Sequence, residues 1–141
     1  MADNKALIDG LNEDLAAEYQ AVIMYRTYAS LVSGPWRQEL RAFFEGEIPD
    51  ELGHAAYLAD KVVALGGIPV VEPGPVPVVK DNKEMMEKTL QAEIDTIARY
   101  TKRVEQAEAA GEIALKVQLE NMIFDETTHR DDIRRMLLGW K

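Results

Sequence analysis

Both histidines of the chain sit in one four-residue frame, Glu51-Leu52-Gly53-His54 and Glu126-Thr127-Thr128-His129. With 15 Glu among 141 residues, composition alone would place Glu three positions before both about one time in a hundred. The frames are 75 residues apart (51 to 126), and the same offset carries Glu18 onto Glu93, Asp50 onto Asp125 and Tyr25 onto Tyr100. It also carries Leu15 onto Leu90 and Leu40 onto Leu115. The halves read as copies of one unit related by a pseudo-twofold axis, so the fold must supply its elements in matching pairs.

Those elements are helices. Four stretches place apolar residues three or four positions apart: about 4–33 on Leu7, Leu11, Leu15, Val22, Tyr25, Ala29 and Val32, and 36–65 on Leu40, Phe44, Leu58 and Val62. The others are 82–110 on Met86, Leu90, Ile97, Tyr100 and Val104, and 112–140 on Leu115, Leu119, Met122, Ile133, Met136 and Trp140. Ser33-Gly34-Pro35 stops the first, Gly66-Gly67 the second, and Asp81 or Asn82 caps the third. Between the second and third lies a strap, 66–81, whose Pro69, Pro73, Pro75 and Pro77 forbid helix. The expected fold is all-α: one domain over 1–141, an antiparallel four-helix bundle with one long crossover between helices two and three. The strap is expected on the bundle surface, with packing against another subunit as the alternative. Pro49 predicts a kink or bulge in helix two just before Glu51.

Each apolar seam is interrupted near its middle by acid. Helix one passes Leu15, Glu18, Val22; helix two Phe44, Glu47, Glu51, His54, Leu58; helix three Leu90, Glu93, Ile97; helix four Met122, Glu126, His129, Ile133. Burying four carboxylates uncompensated costs several kcal/mol per ion, more than a domain stable by roughly 5–15 kcal/mol absorbs. No Arg or Lys stands on a seam within two turns of Glu18, Glu93 or Glu126. Two divalent cations would balance the four charges, and Glu and His at i and i+3 share a helix face, so each pair can grip one metal. Glu18, Glu51, His54, Glu93, Glu126 and His129 are therefore the candidate ligands. Glu51 and Glu126 either bridge the two metals or partner Glu18 and Glu93. Oxygen and imidazole donors suit Fe(II), Mn(II) or Zn(II). A metal-free helical scaffold with proton-sharing acids is the remote alternative.

Around these, Asp50 and Asp125 are candidates to accept the outer ring N–H of the opposite half's imidazole, the alternative being solvated surface acids. Tyr25 and Tyr100, seven residues beyond Glu18 and Glu93, are placed to bond ligand carboxylates or give up an electron, or else simply pack. Glu47, one turn before Glu51, is a candidate entry site for incoming metal. Met85, Met86, Met122 and Met136 read as core filling.

Composition narrows the classes. Sixteen Lys and Arg against 25 Asp and Glu give a net charge of −9, which argues against nucleic-acid and anionic-membrane partners. The absence of Cys excludes disulfides, zinc ribbons, iron–sulfur clusters and thiol nucleophiles. The acidic start lacks a signal-peptide plan and no apolar run reaches the roughly 20 residues of a membrane helix. A cytoplasmic location is the expectation.

The set Glu18, Glu51-x-x-His54, Glu93, Glu126-x-x-His129 resembles the ligand set of ferritin-like di-iron carboxylate proteins. With the Leu65-Gly66-Gly67-Ile68-Pro69 turn and the segment around Glu47 to His54, the chain is most similar to the bacterioferritins. The resemblance implies two iron ions per subunit. Glu18 with His54 and Glu93 with His129 would be terminal ligands, and Glu51 and Glu126 bridging ones. It implies a ferroxidase that oxidises Fe(II) with O2 or H2O2 in iron storage and detoxification, working as a homo-oligomer, dimer or cage. A small-oligomer di-iron oxidase or peroxidase of rubrerythrin-like type is the alternative. Leu52 stands where bacterioferritins carry a Met haem ligand, so no haem is expected by that route. The fifth helix of cage ferritins has no counterpart after Trp140-Lys141, which leaves a 24-subunit cage unsupported. Thr96 replaces the second helix-three Glu usual in rubrerythrins and favours a bacterioferritin-type centre.

Overall fold

A computed structural model describes residues 4–141. Its elements are α1 (Lys5–Leu31), α2 (Arg37–Ala64), α3 (Asn82–Ala109) and α4 (Ile113–Leu137), an all-α four-helix bundle. Asp81 caps α3 by accepting from Glu84 N at 3.0 Å. The end of α2 is closed by Gly66, at φ +94°, with Gly67 N bonded to Val62 O at 2.9 Å and Gly66 N to Val63 O at 3.0 Å. That is the left-handed closure glycine permits at lowest steric cost. Helix α4 ends at Leu137, three residues short of the expected limit, because Leu138 turns extended and Gly139 takes φ +71°. α2 stays helical through Pro49 with no break or wide turn at that residue, so the expected bulge is absent. The proline only removes the bond that Glu45 O would have received.

The crossover follows α1 along most of its length. Asn12 brackets it, donating Nδ2 to Ile68 O and accepting from Val70 N, both at 3.0 Å. Gly74 N bonds Ala16 O at 3.0 Å, Gln20 donates to Pro75 O, and Tyr28 Oη donates to Pro77 O at 2.6 Å. A Cβ on Gly74 would fall 2.3 Å from Gln20 Oε1, so any larger residue there would have to displace that side chain. These bonds serve strap groups that prolines keep out of helix.

Two apolar clusters form the core. One gathers Leu11, Leu15, Leu58, Leu115 and Leu119; the other gathers Tyr28, Phe44, Met85, Met86 and Ile133. The buried acids and histidines occupy the middle of the helices that bear both clusters. Among the described residues, no helix is long and apolar enough to cross a membrane.

Candidate metal centre

All four helices feed one buried polar layer. Glu18 comes from α1, Glu51 and His54 from α2, Glu93 from α3, Glu126 and His129 from α4, and none is more than 7% exposed. Their donor atoms form two groups: Glu18, Glu51, His54 and Glu126, and Glu51, Glu93, Glu126 and His129. The groups share Glu51 and Glu126. His54 Nδ1 lies 3.5 Å from Glu18, 4.0 Å from Glu51 and 3.2 Å from Glu126. His129 Nδ1 lies 3.7 Å from Glu93, 3.9 Å from Glu126 and 3.6 Å from Glu51. The two sets of distances nearly superimpose under the 75-residue exchange, as a pseudo-twofold axis requires.

The surrounding contacts follow the same symmetry. Asp125 Oδ2 sits 3.0 Å from His54 Nε2, and Asp50 Oδ2 3.1 Å from His129 Nε2. Each carboxylate is placed to take the ring's outer N–H, which turns Nδ1 inward. Both aspartates are about half exposed, so each bond joins solvent to the buried layer. Tyr25 donates its hydroxyl to Glu93 and Tyr100 to Glu18, each across the bundle. Symmetry fails at Glu47, whose Oε2 lies 2.7 Å from His129 Nε2 without hydrogen-bond alignment. The position equivalent to Glu47 is Met122, which is fully buried, so only His129 has a second carboxylate at its outer nitrogen.

Without compensation this layer is electrostatically stressed. Burial first, and then the neighbouring glutamates, push the Glu51 and Glu126 carboxyls well above the usual range. Burial also acts to raise Glu93, but its neighbours Glu126 and His129 and the hydrogen bond from Tyr25 outweigh it and lower its pKa. Burial works against charging the imidazoles, yet the nearby carboxylates of Glu126 and Glu18 carry His54 up to about 11, and those of Glu47 and Glu93 carry His129 equally far. Burial and adjacent carboxylates hold the Tyr25 and Tyr100 hydroxyls well above 10, hence neutral.

The test of fit is which buried polar atoms lack a partner. Among the described residues these are Glu18 Oε2, Glu51 Oε1, His54 Nδ1, Glu93 Oε2, Glu126 Oε1 and His129 Nδ1, together with Glu47 Oε2 and Arg99 Nε. Folded proteins leave few such atoms unpaired. Here they converge, with one from every candidate ligand, and the donor chemistry matches a pair of divalent cations.

Three charged residues escaped the sequence reading. Asp14 and Arg103 are buried and joined by Nε to Oδ2 at 2.8 Å and Nη2 to Oδ1 at 3.3 Å. Arg99 Nε stands 3.8 Å from Asp14 Oδ1. Asp14 lies one turn before Glu18, and Arg103 ten residues beyond Glu93, so the pattern of acid on a seam extends further than the candidate ligands. Gly10 admits the guanidinium, since a Cβ there would lie 1.9 Å from Arg103 Nη1.

The family described as Ferritin, ferritin-like domain, matches residues 8–139. The chain is a ferritin-like protein. A bacterioferritin of Streptomyces coelicolor is 28% identical over 138 residues, 97% of this chain and 83% of that protein. A structure described as ferritin-like, diiron-carboxylate proteins from Bacillus anthracis strain Ames superposes with a TM-score of 0.95 at 51% identity, covering 97% of this chain and 99% of that one. A dodecameric, bacterioferritin-related thioferritin from Bacteroides fragilis shares the fold, with a TM-score of 0.88 at 24% identity over 97% of this chain and 87% of that one. This ferritin-like protein thus has the all-α bundle its repeat demanded and a buried Glu/His layer compatible with a di-iron site.

Proposed function

We propose that this ferritin-like protein is a ferroxidase that binds two iron ions in the buried layer and oxidises Fe(II) with O2 or H2O2, in bacterioferritin-like iron storage and detoxification. The observation that carries the reading is the convergence of six unpartnered buried donor atoms on two groups that share Glu51 and Glu126. Glu18 with His54 and Glu93 with His129 would be the terminal ligands, and the shared glutamates the bridging ones. Bound there, two iron ions supply one electron each, so that O2 with two protons leaves as H2O2, or H2O2 with two protons leaves as two waters.

The chain's own residues do the rest. Asp125 and Asp50 fix the imidazoles with Nδ1 inward. Tyr100 and Tyr25 hold the terminal carboxylates Glu18 and Glu93 in orientation. They are also the candidate one-electron donors beside the centre. Glu47, with Asp50 and His129, forms a third, half-open group on the α2–α4 side, which suits a way station for incoming Fe(II). Leu52 is 51% exposed and offers no donor to a haem.

Glu126→Ala removes a shared carboxylate. Rapid Fe(II) oxidation should disappear while circular dichroism shows the helices retained; unchanged oxidation kinetics would overturn the assignment. Native mass by light scattering then separates two roles of the same centre. An assembly of hundreds of kDa built from 15.8 kDa chains supports storage, whereas a dimer supports a di-iron oxidase or peroxidase.

A further inference from the structure

The two open sides of the polar layer differ in chemistry. Towards α2 and α4 stand Glu47, Asp50 and Asp125, a face suited to cations. Between α1 and α3 lies a partly enclosed cavity of about 120 Å³, with Glu51, Glu93 and Glu126 among its lining residues. Most of its lining comes in pairs under the 75-residue exchange, among them Ala17 with Ala92 and Ala21 with Thr96. These small side chains leave the gap, and the shared glutamates Glu51 and Glu126 also pair, whereas Tyr25 and Glu93 line it without their counterparts Tyr100 and Glu18. The cavity therefore reaches both shared glutamates and leans towards Glu93. A liquid water occupies about 30 Å³, so the space fits a diatomic oxidant with a few waters and is well below the roughly 300 Å³ of organic-ligand pockets.

Three pairs differ in polarity, Gln20 with Asp95, Ala21 with Thr96 and, most of all, Met24 on α1 with Arg99 on α3. Arg103 occupies both oxygens of Asp14, so Asp14 draws Arg99 close, at 3.8 Å, without satisfying it. Arg99 Nη2 is tied to Thr96 Oγ1 at 2.9 Å, and its buried Nε–H has no acceptor. That Nε–H is buried on the Asp14 side, while the guanidinium itself lines the cavity and keeps N–H groups beyond its bond to Thr96 for an acceptor there. Dioxygen is a negligible one. A small anion would meet Asp95 and three ligand carboxylates at the same walls. Hydrogen peroxide is neutral, accepts from a guanidinium, and can give its own O–H bonds to Asp95 or Thr96.

We propose that the α1–α3 cavity is where the oxidant reaches the centre, and that Arg99, positioned by Asp14 and Thr96, makes it a hydrogen peroxide site. The inference rests on the ferroxidase reading above and separates the oxidant's side from the side taken by Fe(II). Reduction of the peroxide there breaks its O–O bond with one electron from each of two Fe(II) and two protons, leaving two waters.

The test uses Arg99→Met, which copies the symmetry-related residue, on the full-length protein. Loss of one hydrogen bond to a charged group corresponds to roughly tenfold or more. The ratio of peroxide-driven to dioxygen-driven Fe(II) oxidation, by stopped flow, should fall by that factor, with two Co(II) still bound per chain. In parallel, crystals of the Zn(II)-loaded protein, which has no redox chemistry, are soaked in hydrogen peroxide. Peroxide density beside Arg99 is expected in the parent and none in the variant. If the variant does not fold, Thr96→Val, which frees Arg99 from its tether, gives the same two readouts. An unchanged ratio, or peroxide bound anywhere but this cavity, overturns the proposal. A parent protein that binds two metals yet oxidises Fe(II) with neither oxidant instead defeats the ferroxidase reading, and the Zn(II) soak still decides the cavity.

Discussion

Arg103 donates Nε to Oδ2 of Asp14 at 2.8 Å, and neither residue has a charged counterpart in the other half of the chain. The position equivalent to Asp14 is Thr89, which bonds back to Met85 O at 2.8 Å; the one equivalent to Arg103 is Tyr28, which ties down the strap at Pro77 O. The two halves thus share their ligand layer but close the two ends of the bundle by different chemistry. One end holds a buried ion pair, the other an aromatic anchor for the crossover.

Removing one partner of a buried pair strands the other charge. Arg103→Met should lower the stability of the metal-free protein by about 3–5 kcal/mol in urea unfolding, and the double substitution Asp14→Leu, Arg103→Met should recover most of it. A single substitution without measurable effect would refute a stabilising role for the pair.

Gly10 makes room for that guanidinium. Gly10→Ala should destabilise by roughly 1–3 kcal/mol through overpacking, and the loss should shrink when Arg103→Met is already present. Additive losses in a double-mutant cycle would show that the two residues do not share the space.

The crossed tyrosines predict site-specific effects. Tyr25→Phe releases Glu93 and should weaken the metal on the His129 side, while Tyr100→Phe releases Glu18 and should weaken the one on the His54 side. Each is expected to cost about 10–100-fold in Co(II) affinity at one of two sites, read from stepwise optical titration. Equal weakening of both sites by either variant would contradict the pairing.

Metal binding should release protons. The raised His54 and His129 hold protons near neutrality in the metal-free protein, and Glu51 and Glu126 give theirs up less readily than free carboxyls do. Zn(II) must displace them, so its apparent affinity should climb with pH. Calorimetry in buffers of different ionisation enthalpy measures the number released. For stability the sign is opposite: imidazoles raised from 6.5 to about 11 contribute fully below pH 6.5 and less as pH rises towards 11. The metal-free Tm should therefore fall between pH 6.5 and 9; a rise would mean that another group dominates.

Much of the bundle was legible because helical spacing and a fixed offset are properties of a line of residues. Prolines at 69, 73, 75 and 77 announced the crossover, and Glu–His frames announced the polar layer. Its last turn was less so, since Leu138 and Gly139 leave the helix where the apolar pattern still ran on to Trp140. Pro49 misled in the other direction, because α2 tolerates one missing bond among many. Asp14 and Arg103 were hidden by distance: 89 residues separate them, and no local pattern links an acid on one helix to a base on another.

The sequence by itself determined four helices, their pairing across the 75-residue repeat and the six residue types that converge, because periodicity and charge on an apolar seam are local facts. Only the tertiary structure decided which donors meet: Asp125 with His54, Tyr100 with Glu18, Arg99 beside a cavity between α1 and α3. The physical reason is that hydrogen bonds and voids depend on ångström-scale approach between helices, which packing sets and a single chain's pattern does not encode.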